Sequence, residues 1–175
     1  GYDPQDFTLV AFGGAGPLHA VDLARELGIP RVMVPPSAGT LCSLGLLQTD
    51  IRTDHVCSRL LNPVKVTPDE VRNIFIELKT QGKAVLDKEN VAEHDRKYLM
   101  WVEARYRRQN YELMIPVEEA DFTREGLKNI CARFHAEHKK TYGYARLAAE
   151  VEFVNFRLAA VGELPKAVIS LQPGR

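Results

Sequence analysis

The segment Phe7–Ala20, Phe-Thr-Leu-Val-Ala-Phe-Gly-Gly-Ala-Gly-Pro-Leu-His-Ala, constrains the fold more than any other stretch of the chain. A run of strand formers that breaks into Gly13, Gly14 and Gly16 and then meets Pro17 predicts a strand, a tight turn and a helix. Pro17 suits the first helical turn, where its missing N–H costs no hydrogen bond. The free amides of such a turn carry partial positive charge. Gly13, Gly14, Ala15 and Gly16 are therefore candidate contacts for a nucleotide or another anion. A tight turn that binds nothing fits the glycine spacing equally well, because the pattern is neither G-x-G-x-x-G nor a loop ending in Lys-Ser/Thr. His19, in the first turn of the same helix, is a weak catalytic candidate as electrophile or general acid; it equally suits a hydrogen bond that fixes the turn. Asp22, three residues on, is placed to orient it.

The helix runs from Pro17 to Leu27, with Leu18, Val21, Leu23, Ala24 and Leu27 mostly on one side, and Gly28 and Pro30 end it. Arg31–Val34 reads as a short strand, Pro35-Pro36 as an extended exit, and Ser37 as the cap of a helix reaching Leu47. This βαβα pattern is a piece of an α/β sheet. Alone it leaves apolar faces uncovered, which a homo-oligomer would hide.

From Ile51 the character changes. Ile51–Leu61 is a mixed extended stretch, and Thr67-Pro68-Asp69-Glu70 opens a helix to about Asp87, with Thr67 as cap and Glu70 completing a capping box. Val71, Ile74, Phe75, Leu78 and Val85 form its core stripe. Tyr98–Arg107 alternates, with Tyr98, Met100, Val102, Ala104 and Tyr106 on one face, and Tyr111–Val117 answers it as an antiparallel hairpin. Thr123 caps a helix carrying Leu127, Ile130, Phe134 and His138, and Val151–Ala160 is a last alternating strand. The second half is thus a small α+β domain with helices on one face of an antiparallel sheet.

Other chemistry-bearing residues have plain structural explanations. His135 and His138 share a helix face with Tyr142, but a metal needs a third ligand and H-E-x-x-H is absent. Glu103, Glu112 and Glu152 suggest either paired-carboxylate catalysis or strand surface. No G-x-S-x-G occurs, and Cys42 on an apolar helix reads as core. Cys42, Cys57 and Cys131 are too few and too scattered for a disulfide framework or zinc site, which points to a reducing, cytoplasmic setting. With 23 basic and 23 acidic residues there is no global charge to attract nucleic acid, and Arg105, Arg107 and Arg108 read as the solvated end of a hairpin. No stretch approaches the roughly 20 apolar residues of a membrane span.

Gly13-Gly14-Ala15-Gly16-Pro17-Leu18-His19-Ala20, then Leu27-Gly28-Ile29-Pro30 and Val34-Pro35-Pro36-Ser37-Ala38-Gly39, closely resemble the hydantoinase A/5-oxoprolinase family, which includes acetone carboxylase subunits. Ser43-Leu44-Gly45-Leu46-Leu47 with Asp50, Arg105-Tyr106 with Gln109, Phe134-His135 with His138 and Tyr142-Gly143, and Val151-Glu152 with Asn155 and Arg157 follow in the family's order. Two positions depart from it, since the family usually has Gly at Arg108 and Ser at Asn110.

The resemblance implies the end of an actin-like ATPase domain, of the Hsp70/sugar-kinase type, over residues 1–58. A small α+β C-terminal domain follows over 59–175. It further implies a C-terminal fragment of an ATP-dependent hydrolase that opens hydantoin- or 5-oxoproline-type cyclic amides by phosphoryl activation of the carbonyl. An acetone carboxylase-like ligase, or a structural domain docking a partner, are the alternatives. Gly13, Gly14, Ala15 and Gly16 would contact ATP, with Mg2+ bound in the parent protein, and a hydantoinase B-type subunit is the implied partner. The chain starts at Gly1 and family members extend several hundred residues further at the N-terminus. Little ATP affinity and no activity are therefore expected of it alone.

Overall fold

The computed structural model describes residues 2–166, and they form two compact units. The segment up to Thr49 makes one and Asp50–Leu164 the other. The break falls before residue 58 because the extended stretch Ile51–Leu61 is a full strand of the second unit's sheet.

In the first unit β1 (Thr8–Val10) pairs in parallel with β2 (Arg31–Met33), joined by the crossover helix α1 (Gly16–Leu27). Gly28, at φ 67°, closes α1 in the left-handed conformation expected of a glycine cap. Among the described residues of this unit the buried apolar ones are the alanines Ala11, Ala20 and Ala24, whereas Leu18, Val21, Leu23, Leu27, Met33 and Val34 are exposed. Two three-residue strands and two helices that bury so little cannot supply an independent core. The helix expected from Ser37 to Leu47 is instead a single 3-10 turn followed by α2 (Leu41–Leu46). Ser37 does not cap it. Its backbone is left-handed, at φ 56° and ψ 35°, and its side chain bonds to no helix amide. Cys42 is exposed, not core.

The second unit is a four-stranded antiparallel sheet in the order β3 (Ile51–Leu61), β6 (Val151–Gly162), β4 (Arg96–Tyr106), β5 (Leu113–Val117). Helices α3 (Pro68–Lys88) and α4 (Arg124–Tyr142) cover one face. Both start where the caps predict, with Thr67 Oγ1 accepting from the Glu70 amide at 3.2 Å and Thr123 Oγ1 from the Gly126 amide at 2.9 Å. A reciprocal capping box is found elsewhere, between Glu118 and Asp121, whose carboxylate accepts from the Glu118 amide at 2.9 Å and from Arg133 at 2.7 Å. The stripe of α3 buries Val71, Ile74, Phe75 and Leu78 as expected, but its last turn seats Leu86 in place of Val85. That is one residue further round the helix.

Strict alternation along β6 would send Phe153 and Phe156 to opposite faces of the sheet. Both are fully buried, because the register with β4 shifts between Glu103 and Ala104 and leaves Val154 as an extra residue. The bulge turns the parity of the strand. Phe156 then meets Phe75 at 5.8 Å, while Phe75 stacks on Phe122 at 5.3 Å.

Arg108 turns the chain after β4 at φ 67°, a conformation that disfavours a side chain and explains why glycine suits this position. Arg108→Gly is expected to raise stability by roughly 0.5–1 kcal/mol, read as a higher urea midpoint. An unchanged or lower midpoint would contradict the strain assignment.

Candidate functional site

The glycine turn is built from backbone. β1 hands the chain to Ala11, whose amide bonds the Met33 carbonyl at 2.8 Å, and Gly13 bonds the Ala38 carbonyl at 2.8 Å. Gly13 is left-handed at φ 84°, which a side chain resists. Gly14 and Gly16 are different: a Cβ at either would meet no atom within 4 Å. Packing within the chain therefore does not require them to be glycine.

Ala15 opens α1 with no side-chain cap, and Pro17 stands in the first turn. Among the described residues the amides of Gly14 and Ala15 have no acceptor, which leaves two N–H donors beside the positive end of a 12-residue helix. Next to them is a shallow pocket of about 280 Å³, floored by Leu9 and Ala11 and bordered by Gly16, His19 and Leu23. The arrangement can hold an anion or a polyphosphate edge against backbone, with an apolar floor beside it.

His19 borders this pocket and is exposed, and among the described residues it has no hydrogen-bond partner. Asp22 does not orient it, because that carboxylate turns to Arg25, its neighbour along the helix, at 3.4 Å.

The remaining candidates lie in the second unit and are engaged structurally. Glu103 accepts from Asn155 and Arg157, and Arg105 bridges Glu112 at 3.2 Å and Glu152 at 3.3 Å. Glu103 and Glu152 each face a cross-strand arginine and Glu112 shares Arg105, so the three carboxylates are engaged in ion pairs and do not face one another as a catalytic pair. Arg107 pairs with Glu150, and among the described residues Arg108 is the member of the basic cluster without an ion-pair partner. The Cys131 thiol is pushed up to about 11 by burial, which makes it a poor nucleophile. No group of His, Cys, Asp and Glu among the described residues could hold a metal.

His135 and His138 do not converge on one point. The Tyr106 hydroxyl accepts from the Arg146 amide at 2.8 Å and donates to His135 Nδ1 at 2.7 Å, while His138 Nδ1 donates to the Tyr144 carbonyl at 2.8 Å. Burial, with His138 close by, holds the His135 imidazole below its ordinary value of 6.5. The unfolded chain then binds the proton more readily than the folded one. This contribution to stability is complete above about pH 6.5 and is lost as pH falls through that value toward the folded pKa. The urea midpoint should drop between pH 7 and pH 5, and drop less in His135→Gln; an equal drop in both proteins contradicts the assignment. Asp54, held below the usual carboxylate range chiefly by its hydrogen bond from Arg52, acts only in a more acidic window.

The first unit is thus a strand, a glycine turn without a side-chain cap, a helix and a second parallel strand. Similarity to known proteins sharpens this. Residues 1–55 belong to the Hydantoinase/oxoprolinase family, whose sequence profile they match. An uncharacterized protein of Methanocaldococcus jannaschii is 40% identical over 97% of this chain, which covers 23% of that protein. Caprolactamase subunit alpha of Pseudomonas jessenii is 28% identical over 95% of the chain, which covers 24% of it. The crystal structure of the ATP-dependent caprolactamase from Pseudomonas jessenii matches all of this chain, across 26% of its own length, at a TM-score of 0.69 and 26% identity. Nucleotide-free acetone carboxylase matches it over the same shares at a TM-score of 0.80, and at 21% identity shows the shared fold. The chain thus spans about a quarter of these relatives. No helix among the described residues is long and apolar enough to cross a membrane.

Proposed function

We propose that this sequence forms one wall of the nucleotide site in an ATP-dependent enzyme of the hydantoinase/oxoprolinase family that opens cyclic amides in the cytoplasm. The observation that carries the reading is the pair of amides at Gly14 and Ala15, without an acceptor among the described residues at the start of α1, in a turn where a Cβ on Gly14 or Gly16 would meet no described atom within 4 Å. Gly13, Gly14, Ala15 and Gly16 would present backbone to ATP, with Mg2+ held by residues outside this chain. ATP would supply the phosphoryl group that activates a substrate carbonyl. In this reading the first unit is the closing edge of an actin-like ATPase domain, and the rest of that domain covers its exposed leucines and valines. A homo-oligomer would cover the same faces. His19, unpartnered at the pocket edge, is the one side chain here able to donate to a bound phosphate.

A hydantoinase B-type partner fits the second unit. The sheet face away from α3 and α4 carries exposed Val56, Leu99 and Met114, and the caprolactamase relative is itself named as a subunit. The carboxylase branch would use the same ATP loop and differ in the bond made after the carbonyl is activated.

Half a cleft binds weakly, because the groups that enclose the ligand are elsewhere. Calorimetry with ATP and Mg2+ should give the 175-residue chain a Kd no tighter than about 1 mM and the full-length enzyme one on the order of micromolar. Micromolar binding by the chain alone would contradict the one-wall reading. Phosphate release by the full-length enzyme should rise with 5-oxoproline, hydantoin or a lactam; no rise with any of them would remove the cyclic-amide assignment.

A further inference from the structure

The second unit contains another pocket, which the nucleotide reading leaves unused. It encloses about 370 Å³ between the β4–β5 loop and the C-terminal end of α4, within the size range of small-molecule sites. His138 lines it and is only 2% exposed. A carbonyl only accepts, so the bond to Tyr144 uses the Nδ1 proton; in the singly protonated ring Nε2 is then a lone pair, and it has no partner among the described residues.

Three phenol rings line the same pocket. Tyr142 and Tyr144 lie 4.7 and 4.9 Å from the His138 ring, and Tyr111 lies 6.5 Å from Tyr142. Among the described residues none of the three hydroxyls has a hydrogen-bond partner, nor does the Arg108 guanidinium on the same pocket wall. Gln109 and Asn110 supply two further free amides, and no carboxylate lines the cavity.

Aromatic walls alone would suit a quaternary ammonium ion. An unpaired arginine and the lack of any acid oppose a cation and favour an anion, and the planar guanidinium matches a carboxylate in two-pronged geometry. The lone pair of His138 asks for an O–H or N–H. We propose that this pocket binds a small aromatic carboxylate bearing a ring hydroxyl or ring N–H, with the ring against Tyr111 and Tyr142, the carboxylate on Arg108 and the donor on His138 Nε2.

The test is titration of the 175-residue chain with 4-hydroxybenzoate, followed by NMR of the histidine ring nitrogens. The site predicts a saturable shift of His138 with a Kd on the order of 1 mM. Benzoate, which lacks the donor, should bind at least about threefold more weakly, and 4-hydroxyphenyltrimethylammonium should not compete. Arg108→Gly and Tyr111→Ala alter exposed positions, so the fold should persist while each weakens binding about fivefold or more. The proposal is overturned by the absence of a saturable His138 shift, by an ammonium analogue that binds as tightly, by benzoate binding equally well, or by unchanged affinity in either variant.

Discussion

Gly126→Ala should destabilise the second unit by about 3 kcal/mol, the largest stability loss expected from adding one methyl group to this chain. The residue sits in the first turn of α4, where an added Cβ would lie 2.2 Å from the Asp121 carbonyl oxygen and 2.6 Å from its carbonyl carbon and Cα. Those are backbone atoms, so no side chain can rotate away. Asp121 is itself held by its bonds from the Glu118 amide and Arg133, and Phe122 beside it stacks on Phe75. Relief must come from moving either the turn or the start of α4, and the second choice also breaks the Thr123 cap. Gly45→Ala in α2 serves as the control, because a Cβ there meets nothing within 4 Å. Urea denaturation should separate the two variants clearly. Equal midpoints would mean that the close approach at Gly126 is not rigid.

Local features of this fold were legible in the sequence. Thr67-Pro68 and Thr123 announce their helices through side-chain chemistry within three residues, and the β4 alternation from Tyr98 to Tyr106 matches its buried face. Long-range features were not. Nothing near Val151–Gly162 says that it pairs with both β3 and β4, since pairing partners lie about 50 and 100 residues away and leave no local periodicity. The β6 bulge did leave a local signal, since Phe153 and Phe156 are three residues apart and break the alternation. The cross-strand pairing of Glu103 with Arg157 and of Glu152 with Arg105 was likewise open to inference from opposite charges at outward positions, once the register was known.

The candidate site shows the same division. A strand, a glycine turn and a helix could be read from Phe7–Ala20, but not which glycines serve the turn. The structure separates them: Gly13 is required by its own backbone, whereas Gly14 and Gly16 are free of any such demand. Asp22 turns away from His19 because helix spacing brings it to Arg25 just as readily, and the guanidinium is the stronger partner. Gly126 and Gly45 look alike in sequence, and only the approach of the Asp121 turn distinguishes them.

The second large effect arises from that separation. Gly14→Val adds a side chain where the chain itself has open space, so its cost to folding is small, while the methyl groups screen the donors of Gly14 and Ala15. Two charge-assisted hydrogen bonds to phosphate are together worth about 3 kcal/mol or more, hence roughly a 100-fold loss of affinity. The decisive measurement is ATP–Mg2+ calorimetry on the full-length protein with and without Gly14→Val, alongside its thermal unfolding. Nucleotide binding at this loop predicts an unchanged unfolding midpoint with ATP affinity reduced by about two orders of magnitude. Full ATP affinity in the variant would contradict it and leave the glycine turn a structural corner.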